Sequence, residues 1–355
     1  MHATIGVLAY NESASIARTI GSLFEQSVFT GRGATLPDVQ WEVIVVPNGC
    51  TDDTHQRADD ALRLATARCT ATVVDYRVES LQRAGKSHAW NKLIHEISAS
   101  HTDVFVMIDA DIEFGHPDTV ANCVSRLLTD TQAWAVVDLP LKDFHRKTNP
   151  TLLERWSMRT SMDKLAQAPP GMSGQFYTVA ASRLRSVWMP VGLSVEDGFL
   201  MSMIITDGFR SGPDYTRVVR AEDASHYYEG LKGAREIVAH EVRIAVGSVL
   251  NNFLCWDMLL YLTPRDCPGA GTLIRDLNAQ DQDWYRRAMT NQIEIRGIWT
   301  VPMHETWQQI GRWWCLPWPR RLLRLPAALM RFMFDLLVQW QANRRLVSGR
   351  AVGHW

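Results

Sequence analysis

The sequence predicts an α/β protein: a mostly parallel central sheet flanked by helices, followed by a helical carboxy-terminal region. Three observations carry this. Up to Asp130 the chain alternates short apolar runs with amphipathic stretches. Parallel strands buried on both faces read as continuous apolar runs, and helices make the crossovers between them. Each of three runs stops at a polar or glycine-bearing turn: Asn11-Glu12, Asn48-Gly49 and Asp109-Ala110-Asp111. Beyond about Gly230 strand-like runs nearly vanish while helical spacing continues.

The elements follow in order. ATIGVLAY is the first strand, and the stretch after it places Ile16, Ile20, Leu23 and Phe24 at helical spacing. WEVIVVPNG is a second strand, stopped by Pro47 and Gly49. The helix after it opens on Asp52 and Asp53, acids suited to a helix amino terminus. ATVVDYRV and DVFVMIDAD are the third and fourth strands, with a helix from Gly85 between them and another over HPDTVANCVSRLLTD. AWAVVDLPL and GQFYTVAAS read as further strands, LLERWSMRTSMDKLAQ and EDGFLMSMIITDG as helices, and residues 234–262 as one long helix. Pro264 to Gly271 reads as a linker or tight turn. Two domains are expected, 1–230 and 231–355.

Composition bounds the function. Thirty-seven Lys and Arg against 38 Asp and Glu leave a net charge of −1, which argues against a nucleic-acid coat. A hydrophobic share of 46 % is enough for a packed core, so disorder is not the main state. The six cysteines form no C-x-x-C pair and no zinc-ligand spacing, and they read as reduced thiols in a cytoplasmic protein. No signal peptide is read at the amino terminus. The apolar stretches from Ile244 to Leu262 and from Leu322 to Trp340 are interrupted by polar residues, and neither is expected to span a bilayer.

The chemistry gathers at strand ends, where open α/β sheets bind ligands. Asp109 and Asp111 end the apolar run VFVMI, and alternate residues of extended chain project to one side. Two such carboxylates fit a solvated acidic loop or a Mg²⁺ or Mn²⁺ site completed by substrate phosphate oxygens. Gly85-Lys86-Ser87 opens a helix, where backbone N–H groups and an ammonium favour an anion. With Tyr10, Glu12 and Asn48 at the first two strand ends, the ordered set points to a nucleotide diphosphate site. Gly171 to Gln175 reads as a plain loop or as a segment shaping the acceptor side. His226 reads as structural or as a third metal ligand.

The order LAYNE at 8–12, VVPNGCTDDT at 45–54, AGKSHAWN at 84–91 and DAD at 109–111, with Val195-Glu196-Asp197 for a T-E-D element, resembles the family 2 glycosyltransferases of the GT-A, Rossmann-like fold. The resemblance covers about residues 3 to 230. It implies that Tyr10, Glu12 and Asn48 contact the base and ribose and that Lys86 lies near the base and phosphates. It implies Asp109 near the ribose, Asp111 on a Mn²⁺ or Mg²⁺ ion, and Asp197 as general base. The implied activity is metal-assisted, inverting transfer of a sugar from a nucleotide diphosphate donor, probed first as UDP, to an unidentified acceptor hydroxyl. Two alternatives are a nucleotidyltransferase and a catalytically inactive sugar-nucleotide-binding protein. The first would want a Gly-rich, basic first turn, and the second would be signalled by loss of Asp109, Asp111 or Asp197.

The departures matter. Asn48 stands where many members carry Asp, and Val195 replaces the threonine. Processive members carry Q-x-x-R-W after the T-E-D element. The nearest segment here, His240 to Ile244, keeps Arg243 but has His240 for Gln and Ile244 for Trp. A non-processive enzyme is expected, with Arg243 neutralising diphosphate or pairing on a helix face. Residues 311–355 hold eight arginines against Asp335 alone, together with five tryptophans. Such a segment, over 311–345, either lies in a membrane interface on the inner face or packs on the catalytic domain.

Overall fold

The computed structural model describes residues 1–349 apart from 35, 37, 70–73, 168, 232 and 264–267. The expected strand residue Val73, the linker start Pro264 to Cys267, and Arg350 and Trp355 of the basic end lie outside these. The strands are β1 (His2–Ala9), β2 (Gln40–Pro47), β3 (Val74–Val78), β4 (Val104–Asp109), β5 (Glu113–Phe114), β6 (Ala135–Lys142), β7 (Phe176–Ala180) and β8 (Val218–Tyr228). The helices of the first half are α1 (Ile16–Phe24), α2 (Ser27–Thr30), α3 (Thr54–Thr66), α4 (Lys86–Lys92), α5 (Thr119–Thr129), α6 (Leu152–Gln167), α7 (Ala181–Leu184) and α8 (Glu196–Ile205). Those of the second half are α9 (Ala234–Leu254), α10 (Leu260–Leu262), α11 (Ala270–Gln280), α12 (Trp284–Arg296), α13 (His304–Trp314) and α14 (Trp318–Val347).

All eight strands form one sheet in the order β3-β2-β1-β4-β7-β6-β8-β5. β1 pairs parallel with β2 and β4, and β2 with β3, so the amino-terminal half has the expected parallel order. In the rest, β6 pairs parallel with β8. β7 runs antiparallel to β4 and β6, and β5 antiparallel to β8, so the sheet is mixed.

β1 and β2 are buried from their second residue to their last, including Thr4 and Glu42, where the Thr4 hydroxyl donates to the Glu42 carboxylate (2.7 Å). Ile16, Ile20, Leu23 and Phe24 of α1 meet Val120, Cys123, Val124 and Leu127 of α5 in one core with the inward residues of β1, β2 and β4. Each such side chain contributes about 1.5–3 kcal/mol when fully removed from water. This places β1, β2 and β4 in a rigid frame with their carboxyl ends in register: Ala9 lies opposite Pro47, and Leu8 opposite Asp109.

The described residues divide into two compact units. The first comprises Met1–Val191, Glu196–Gly230 and Leu262–Gln280, the second Gly192–Val195, Leu231–Tyr261 and Asp281–Trp355. The first unit thus takes in α11, which lies past residue 230. The Ala270 N–H donates to the Gly208 carbonyl (2.9 Å), and the Asn278 side chain donates to the Met189 carbonyl (2.9 Å). A Cβ on Gly271 would stand 1.9 Å from the Ser186 carbonyl oxygen, so only glycine allows α11 this approach.

In the second unit α9 buries Val242, Val246, Val249, Leu250, Phe253 and Leu254. It continues through one π-turn (Cys255–Leu259) into α10. The stretch Ala234–Leu262 is long and apolar enough to cross a bilayer by length and composition, with half of its most apolar window buried. This corrects the expectation that the polar residues Asn251, Asn252 and Asp257 take it below that threshold. α14 packs on α9 and buries Val338, Gln339, Ala342, Asn343 and Leu346.

Candidate active site

The site is built at the carboxyl ends of β1, β2 and β4. The turn after β1 needs Asn11 in the left-handed region (φ 54°), a conformation Asn tolerates. Its side-chain oxygen accepts from the Thr51 N–H (2.8 Å), which ties this turn to the one after β2. Glu12 and Ser13 are fixed to the same turn: the Glu12 N–H donates to Thr54 Oγ1 (2.8 Å) and the Ser13 N–H to Asp52 Oδ2 (3.2 Å). Burial opposes ionisation of Asp52, but hydrogen bonds from Thr54 and Ser13 outweigh it and hold the carboxyl below its usual range.

Asn48 is buried, and its amide is spent inside the protein. Nδ2 donates to the Ala9 carbonyl (2.8 Å), and Oδ1 accepts from the Gly85 N–H (3.0 Å). The residue expected to meet base and ribose therefore joins β1 to the turn before α4. Two glycines permit that junction. A Cβ on Gly49 would stand 2.6 Å from Ala84 backbone atoms, and Gly85 has φ 140°.

Lys86, the first residue of α4, sits between two carboxylates. Its Nζ lies 2.7 and 2.9 Å from the oxygens of Asp109 and 2.5 Å from Oε1 of Glu196. Burial alone would lower the ammonium, but Asp109 and Glu196 overcome it and raise its pKa, so Lys86 stays charged. One ammonium cannot neutralise both acids. Burial first, then Glu196 and Asp111, push Asp109 up to about 7 against the pull of Lys86. Gly174 closes the other side: a Cβ there would lie 2.7 Å from Glu196 Oε1 and 3.0 Å from Lys86 Nζ. The next residue is joined to the same strand end, because the Asp109 N–H donates to the Gln175 carbonyl (2.9 Å).

Asp111 is exposed just past β4. It belongs to an acidic group with Glu12, Asp52 and Glu229. Burial chiefly, and these three neighbours next, raise the Glu12 carboxyl against the hydrogen bond from Ser15. Among the described residues no three His, Cys, Asp or Glu side chains converge into a ready-made metal cage. The donor chemistry nevertheless suits Mg²⁺ or Mn²⁺, which take oxygen ligands and often only one or two carboxylates beside phosphate oxygens. Crowded carboxylates whose ionisation opposes one another are the environment a divalent cation relieves.

The expected residues thus separate. Tyr10, Glu12, Asn48, Lys86, Asp109 and Asp111 lie at the three strand ends. Asp197 stands beside Glu196 in the first turn of α8, and its Oδ1 accepts from the Gly198 N–H (2.7 Å). His226 lies fully buried in β8, with Nδ1 2.8 Å from Asp138 and Nε2 3.2 Å from Gln175 Oε1. Both ring nitrogens face protein partners, so it serves the packing beneath the site. Arg243 is exposed on α9, in the second unit. Reading by sequence missed Glu196 as a site residue, although the Val-Glu-Asp motif contains it, and missed Glu229, which no motif marks.

The pattern of glycosyl transferase family 2 matches residues 4–188, just over half of the chain. The chain belongs to glycosyl transferase family 2. Among solved structures this transferase is similar to the mannosyltransferase PcManGT from Pyrobaculum calidifontis in complex with GDP-Man and Mn²⁺. The TM-score is 0.54 at 17 % identity, covering 98 % of this chain and 85 % of that one. That likeness fixes the fold as GT-A. Glucosyl-3-phosphoglycerate synthase from Mycobacterium tuberculosis, in complex with Mg²⁺ and UDP, also matches, with 24 % identity and a TM-score of 0.44 over 70 % of this chain and 78 % of that one. No curated protein sequence matches the transferase.

Proposed function

We propose that this family 2 transferase moves a sugar from a nucleoside diphosphate donor, UDP first among those to test, to an acceptor hydroxyl with inversion at the anomeric carbon. The observation that carries the reading is the Lys86 bridge. It draws Glu196, and with it Asp197, onto the strand end that carries Asp109 and Asp111. An acid from a distant helix therefore joins the sheet edge where a diphosphate would be held.

The roles follow from chemistry. Tyr10 and Glu12 form the wall for base and ribose, and Asn48 sets the height of that wall through its two backbone bonds. Lys86 holds Asp109 and Glu196 in place and supplies positive charge near the phosphates. Asp111 is the foremost carboxylate for a Mn²⁺ or Mg²⁺ ion, with Asp109 behind it, and the ion would offset the charge of the departing diphosphate. His226 is left out of that ligand set. Asp197 accepts the proton of the acceptor hydroxyl on the face opposite the leaving group. A single base and a stabilised leaving group give one in-line displacement. Ile244 in place of an aromatic residue favours a single transfer over polymerisation.

The test is kinetic. Asp197→Asn should lower turnover by about 10²-fold or more while donor binding stays within twofold. Undiminished turnover would remove the base assignment. Loss of donor binding in the same variant would move Asp197 from the acceptor side to the donor side.

A further inference from the structure

The second unit ends in a helix with an uncovered apolar face. Along α14, Trp318, Leu322, Leu329, Met333, Trp340 and Val347 recur at spacings of four and seven, and each is 50–70 % exposed. Such spacing keeps them on one side of a helix. A 30-residue helix is about 45 Å long, so the stripe is far more extended than the scattered apolar residues of an ordinary surface. Leu323 and Met330 widen it, and Trp307 and Trp314 of the packed neighbour α13 are exposed as well.

The two halves of α14 differ. From Val338 to Leu346 the side away from the stripe is buried within the second unit, which packs α9, α12 and α13 on this helix. From Trp318 to Met333 no residue is fully buried; only Arg321, Leu325, Ala328 and Phe332, away from the stripe, are partly covered. Propensity alone rarely holds a helix, and most helical stability comes from packing an apolar face. Arg320, Arg324 and Arg331 line the side opposite the stripe, where all three are exposed, and Asp335 is the one acid on the helix. Arg321 is the exception: its guanidinium donates to the Leu316 carbonyl, which fastens the turn between α13 and α14.

The geometry points to an anionic phospholipid surface as the occupant of this face. An apolar stripe bounded by tryptophans, with arginines on the opposite side, matches a helix lying in the interface plane. The charge selects the lipid: eight arginines against one aspartate over residues 311–355 favour anionic headgroups. Arginine stems can rest along apolar surface while their heads reach phosphate. A protein partner of acidic character would meet the arginines but leave the leucine and tryptophan stripe bare. The inference is independent of the transfer chemistry.

The experiment uses the full chain and vesicles of phosphatidylcholine with or without 30 % phosphatidylglycerol. The wild type should sediment with the anionic vesicles and remain in solution with the neutral ones, and Trp340 should show a blue-shifted emission that Trp340→Phe removes. Leu329→Glu with Met333→Glu, both at exposed positions, should cut the bound fraction at least tenfold while the thermal shift produced by the sugar nucleotide is unchanged. Wild type that fails to sediment with anionic vesicles overturns the inference. So does equal sedimentation of the double variant. A dimer in solution that the same substitutions turn into monomer, without vesicle binding, would assign the stripe to a second copy of the chain instead.

Discussion

His95 shows how one buried side chain ties the stability of this fold to pH. Its ring stacks on Trp188 at 3.9 Å, nearly parallel, and Nε2 lies 2.9 Å from the Val187 carbonyl. Burial, aided by Arg185, pulls its pKa down to about 4 despite that carbonyl. The unfolded chain, near 6.5, then binds more protons than the folded one between about pH 6.5 and about pH 4. Stability is therefore lost as pH falls through that window. His95→Phe keeps the stacking but cannot titrate, so the urea midpoint of the variant should fall less steeply over the same range. At this scale the sequence exposed the acids and the lysine but not their partners. Lys86 follows β3 and Asp109 ends β4, with β2 and β1 between them, so their contact rests on the Gly85 turn reaching back across the sheet. The pairing of Lys86 with Glu196, and the two backbone bonds of Asn48, depend on where α8 and the Gly85 turn come to rest, which no local pattern encodes.

Whole elements were legible where their periodicity was strong. The runs ending at Ala9, Pro47 and Asp109 are strands because they are almost wholly apolar, with only Thr4 and Glu42 interrupting the first two, and α1 and α5 show their buried faces in their spacing. β5 has two residues, too few for any period to register, and its partner was settled by β8. The direction of β7 was equally hidden, since an apolar run reads the same either way along a sheet. In the second unit, Asn343 illustrates an element held by a polar anchor. It is buried on α14, and its Oδ1 accepts from the Thr300 N–H (2.6 Å) and the Val301 N–H (2.8 Å). Asn343→Ala strands both donors, at a cost of about 1–3 kcal/mol. Amide exchange at Thr300 and Val301 should quicken in the variant, ahead of any change in β1 or β2.

Across the whole molecule, a mixed GT-A sheet carries the candidate site in one unit, and a helical unit carries the arginine and tryptophan face. The first should respond to its donor by mass action. A ligand at 100 times its Kd stabilises the folded state by about 2.7 kcal/mol, so sugar nucleotide with Mn²⁺ should raise the melting temperature. Asp111→Asn should erase the part of that rise that requires the cation. Comparing UDP- with GDP-sugars in the same assay identifies the base. The two-sided grip of Lys86 on Asp109 and Glu196 has a consequence for how such a sequence can drift. Two helix starts and a strand end are locked there into one heritable block. A change at any of the three positions alters the background against which the other two are selected, so their effects will show epistasis and viable variants will arise through compensated sets.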